Sequence, residues 1–133
     1  MNEPLRRLAL HIRYELAEVQ RVLCRVEEGW RRAHSSADDY YLDAVALNLR
    51  GFYAGLERVF ERIGTVVDGA RPCGEYWHQA LLQQMADEIP DVRPAVISPR
   101  THELLEPYRG FRHVARNIYT FHLDAAKLEH LVA

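Results

Sequence analysis

Apolar residues recur every three or four positions through most of the chain, which is the spacing of an amphipathic helix turning about 100° per residue. The first run is Leu5, Leu8, Ile12, Leu16, Val19, Leu23, Val26 and Trp30, with Leu5, Ile12, Val19 and Val26 at seven-residue intervals. It predicts a long helix that opens around Pro4, a residue suited to a first turn, and stops near Ala33, where His34-Ser35-Ser36 breaks the pattern. Ser36, with Asp39 three residues on, predicts a capped start for a second helix. That helix carries Tyr41, Ala44, Val45, Asn48, Phe52, Leu56, Val59, Phe60, Ile63 and Val67, and closes at Asp68-Gly69. Gly51 and Gly55 lie inside it, four residues apart and so nearly on one face, which predicts close approach of another helix there.

Arg71-Pro72-Cys73-Gly74 makes a short connection, and Tyr76, Trp77, Ala80, Leu81, Met85 and Ile89 mark a third helix. Pro90, Pro94 and Pro99 predict an irregular loop over 90–99, with Ser98 as cap and Pro99 at the first position of a fourth helix. Leu104, Leu105, Tyr108, Phe111, Ala115 and Ile118 give its apolar side, and Pro107 either kinks it or marks its true start. A short terminal helix is expected over 123–132. No strand pattern competes, so the prediction is an all-α antiparallel bundle of four main helices with a fifth at the C-terminus.

Composition narrows the class. With 133 residues, 48% of them apolar and 27% charged, the chain suits one globular domain over 1–133. No apolar run approaches the roughly 20 residues that span a bilayer, and the N-terminal segment lacks the apolar core of a signal peptide, so no membrane role and a cytoplasmic location are expected. Cys24 and Cys73 have no CxxC spacing and read as small, reduced core residues. A net charge of −2 leaves any polyanion binding to a local patch. Every basic residue except Lys127 is arginine, the side chain suited to bidentate phosphate contact.

Candidate chemistry is sparse. Glu75-x-x-His78 has the spacing of a di-iron ligand pair, but that site needs a second such motif and two more glutamates. His78 is therefore expected to pack or hydrogen-bond, and neither a metal nor a cofactor is expected. HExxH, phosphate-binding glycine loops and the GxSxG elbow are all missing. What remains is YRGFRHVARNIY, residues 108–119: on a helix, Arg109, Arg112, Arg116 and Tyr119 fall within roughly 80° of one another. Such a stripe can hold a phosphate; an ordinary solvated face is the alternative.

Gly110-Phe111 before Arg112, with Tyr119 seven residues beyond that arginine, resembles the motif of the HEPN superfamily, and more closely its HepT-like toxins. That motif is an arginine, four to six residues, a histidine, and often a tyrosine two positions later. DDYYLDAVALNLRGFYAGLERVFERI and GEYWHQALLQQM extend the resemblance along the chain. It implies a helical homodimer that cleaves RNA without metal. It also implies a partner, an MNT-type nucleotidyltransferase antitoxin that can transfer AMP to the motif tyrosine, here Tyr119. The family histidine should stand at position 117, where this chain has Asn117.

That departure bears on mechanism. Metal-free RNA cleavage needs a base for the 2′-hydroxyl proton, an acid for the leaving oxygen and a cation for charge building on phosphorus. Arg112 and Arg116, with Arg109 alongside, could bind the phosphate. Asn117 can position it but does not titrate near neutral pH. His113, next to Arg112, or His122, six residues beyond Arg116, could handle protons instead, and each could equally be a surface histidine. Tyr119 could be modified or could simply pack its ring. The alternative to a nuclease is a catalytically silent bundle that dimerises and binds a nucleotidyltransferase or a nucleotide.

Overall fold

The computed structural model describes residues 2–117 and 125–132, and for 112–117, 127 and 130 the backbone alone. The described residues form five helices: α1 (Glu3–Ser36), α2 (Tyr40–Ile63), α3 (Trp77–Ala86), α4 (Pro99–Asn117) and α5 (Ala125–Val132). A π-helical turn over Gly64–Asp68 extends α2 and ends at Gly69, whose φ of 74° is a left-handed conformation that glycine adopts freely. Ile89 and Arg93 pair as an isolated antiparallel bridge, and no strand forms among the described residues. The architecture is the all-α bundle that the periodicity predicts.

Local chemistry sets the helix ends. Asn2 caps α1 by accepting from the Leu5 N–H at 2.9 Å, one residue ahead of the expected start. At the other end α1 runs three residues past Ala33, and Ser36 is its last residue, not the cap of α2. Ala37 then turns left-handed at φ 56° and returns its N–H to the Ala33 carbonyl. Asp38 supplies the side chain expected of Ser36, accepting from the Tyr40 N–H at 3.0 Å. The third helix is shorter than predicted, since Ile89 belongs to the bridge that follows Ala86.

α1 and α2 form a long antiparallel pair. Gly29 lies against Val45, Val19 against Gly55, and Glu15 holds Arg58, so the contacts descend one helix as they climb the other. A Cβ at Gly55 would stand 2.7 Å from the Val19 side chain, while at Gly51 it would meet nothing within 4 Å. The close approach is thus made by Gly55 and Gly29, and the expectation for Gly51 fails within this chain.

Two apolar clusters fill the bundle end to end. One joins Leu8, Tyr53, Phe60, Leu81, Leu82, Met85 and Leu105; the other joins Val26, Leu42, Val45, Leu49, Phe111, Leu128 and Leu131. The short α3 therefore closes one end and the short α5 the other, while Tyr108 packs against both clusters. Three expectations need correcting. Leu5 and Leu16 are exposed although they share the α1 stripe with the buried Val19 and Val26. Cys24 and Cys73 are free thiols but both exposed, so neither is a core residue. On α2 burial is centred on Leu42, Val45, Leu49, Tyr53 and Phe60, because this helix is covered from several sides and needs a broad apolar face.

Candidate functional site

α4 carries the candidate chemistry. Ser98 accepts from the Thr101 N–H at 3.1 Å and Pro99 occupies the first turn, as the sequence predicts. Pro107 sits inside the helix and does not begin it. The helix is anchored on one side by Leu105, Tyr108 and Phe111. Leu105 and Phe111 are buried in the two clusters, and Tyr108 meets the Phe52 ring edge-on at 5.2 Å. The Tyr108 hydroxyl donates to the Leu131 carbonyl at 2.5 Å, tying α4 to α5, and burial pushes its pKa above the usual phenol value.

Helical backbone continues through Arg112, His113, Arg116 and Asn117. Positions 112 and 116 are roughly 100° and 140° round the axis from Phe111, so they fall either side of the direction of Leu105, at the edge of the anchored face and about two turns or more further along the helix. Tyr119 and His122 lie outside the described residues. Arg109 is described in full: its Nε and one terminal nitrogen both donate to Glu106, at 3.0 and 2.7 Å. Glu106 also approaches His102 Nε2 at 3.6 Å, so His102, Glu106 and Arg109 form a polar ladder leading into the arginine-bearing turns.

Two polar arrangements are not foreseen in the sequence. Glu57 is 3% exposed, on the apolar side of α2 between Tyr53 and Phe60, and His78 Nδ1 is 2.6 Å from its carboxylate. A glutamate at an apolar helical position was the available signal. His78 also stacks at 3.6 Å on Trp77, so it hydrogen-bonds and packs as predicted. No group of three metal-ligating side chains occurs among the described residues.

The second arrangement is centred on Arg93, whose side chain is 7% exposed. All five of its N–H bonds are used: two reach Asp68 at 2.6 and 2.7 Å, and the others reach the carbonyls of Asp87, Pro94 and Gln84. Gln84 donates in turn to Asp68 and to the Ala70 carbonyl. One arginine thus fixes the π-helical turn, the end of α3 and the loop that delivers α4. Spacing alone does not reveal it, because Asp68 is 25 residues away and the other three acceptors are backbone carbonyls, which carry no side-chain signal.

A family model described as HepT-like protein matches residues 44–133, from the first turns of α2 through α4 and α5. The chain belongs to the HepT-like family, within the HEPN superfamily. No curated protein and no solved structure gives a significant match. In this HepT-like chain the matched span takes in the whole arginine-bearing helix and leaves α1 outside.

Proposed function

We propose that this HepT-like protein is the toxin of a HEPN/MNT toxin–antitoxin pair, a cytoplasmic homodimeric endoribonuclease that works without metal and is neutralised by a nucleotidyltransferase. The observation that supports this most is a family match that includes a helix bearing Arg112 and Arg116 one turn apart. In this reading the two arginines bind the scissile phosphate and stabilise the charge that grows on it as the 2′-oxygen attacks phosphorus. His113 or His122 accepts the 2′-hydroxyl proton and a second proton goes to the departing 5′-oxygen. Asn117 orients the phosphate. Attack of the Tyr119 phenol on the α-phosphorus of ATP, with loss of pyrophosphate, would leave a phosphodiester beside the arginines. Its negative charge would occupy the phosphate site and exclude RNA.

The test is cleavage of RNA by purified protein in the presence of a chelator. Arg112→Ala should lower the rate about 100-fold or more, and exposure to the antitoxin with ATP should add AMP to wild-type protein but not to Tyr119→Phe, read by mass spectrometry. Uncut RNA, together with an Arg112→Ala variant no less toxic in cells than wild type, would overturn it. Asn117 favours a second reading, a silent HEPN module that dimerises and binds a nucleotidyltransferase or a nucleotide. That reading requires RNA to be bound and left intact, and Asn117→His to leave partner binding unchanged.

A further inference from the structure

Between α3 and α4 lies a groove of about 390 Å³ lined by Tyr76, Gln79, Ala80, Gln83, His102 and Glu106. Tyr76 is 71% exposed and belongs to neither apolar cluster, so its ring offers an uncovered aromatic face. Gln79 and Gln83 stand one turn apart on α3, with the small Ala80 beside them. The Gln83 amide nitrogen donates to Asp87 at 2.9 Å, which fixes the orientation of that amide and leaves its oxygen as an acceptor. Glu106 closes the α4 side, its carboxylate held by Arg109.

From these features we propose that the groove seats an unpaired base of single-stranded RNA, stacked on Tyr76 and read along its edge by Gln79, Gln83 and Glu106. The assignment rests on the ribonuclease reading and adds a specificity site to it. Single-stranded RNA is recognised by aromatic stacking and by polar side chains on base edges, which is the inventory present here. A carboxylate facing the groove repels phosphate but accepts from an exocyclic amine, so adenine, cytosine or guanine is favoured over uracil. The backbone would then run along α4, where positions 112 and 116 lie about 9 and 15 Å beyond Glu106 by helical rise. The polar ladder of Glu106 and Arg109 joins the two parts of the path.

Fluorescence anisotropy with short labelled oligomers of A, C or U tests this. Oligo-A and oligo-C should bind more tightly than oligo-U. Tyr76→Ala should weaken binding about tenfold, and Tyr76→Phe should restore it, since stacking needs the ring and not the hydroxyl. Glu106→Gln should flatten the base preference, because its amide can also donate to the carbonyls of uracil; circular dichroism verifies that each variant is folded. RNA binding by wild type with no effect of Tyr76→Ala and no preference among oligomers would overturn the groove assignment alone. A Tyr76→Ala variant that keeps RNA affinity but loses a nucleotidyltransferase partner would overturn it in favour of a protein-binding face. Failure of wild type to bind any oligomer would remove the ribonuclease reading, and this assignment with it.

Discussion

Arg93 shows how much a single side chain can organise. Asp68 and Arg93 are 2% and 7% exposed, so their attraction is little screened, and every donor of the guanidinium has an acceptor. The hydrogen bonds from Arg93 hold the Asp68 carboxyl below the usual aspartate range; burial opposes this and Gln84 assists it. A carboxyl whose pKa is lower folded than unfolded contributes fully above the ordinary aspartate range and loses that contribution as pH falls through the folded value. Urea unfolding at decreasing pH should therefore show a loss of stability below that range. Arg93→Ala should flatten the dependence while lowering stability by about 3–5 kcal/mol, because Asp68 would stay buried without its charge partner. Arg93→Lys should rescue little, since an ammonium has three donors and no planar fork.

Among the helices, the α1–α2 pair depends on where a side chain is missing. Gly55 and Gly51 carry the same propensity cost, yet only Gly55 faces a neighbour. Gly51→Ala should stabilise the protein by up to about 1 kcal/mol, the propensity gain with nothing to clash. Gly55→Ala should instead destabilise it by about 1 kcal/mol net, as displacement of the branched Val19 outweighs that gain. Thermal unfolding of the two variants side by side checks the pair; equal shifts in the same direction would refute the packing argument.

Across the molecule, α1 belongs to both apolar clusters through Leu8 and Val26, although the family match begins at residue 44. A chain that starts at residue 38 would expose the faces of α2 that Val19 and Val26 cover. It should lose cooperative thermal unfolding, seen by circular dichroism, whatever RNA or partner it meets. The groove is shared by α3 and α4, and the arginine-bearing turns continue α4, which Leu105 and Phe111 anchor in the two apolar clusters. Variation in α3 should therefore alter base preference without disturbing residues 112–117.

Apolar periodicity determined the number, type and order of the helices, because a stripe at three- and four-residue spacing has no stable use except as a buried helical face. Ser98-Pro99 and Asp68-Gly69 marked helix ends legibly, since caps and left-handed turns are chosen by local hydrogen bonding. Gly110-Phe111-Arg112 with Tyr119, and the stretches of the second and third helices, likewise resembled the family that the match over 44–133 bears out. Tertiary structure decided what depends on a distant neighbour: which glycine is crowded, which stripe residues remain exposed, that Glu57 meets His78, and that Arg93 meets Asp68. Each of these is set by contacts between segments far apart in the chain, and no local pattern encodes a partner it does not touch.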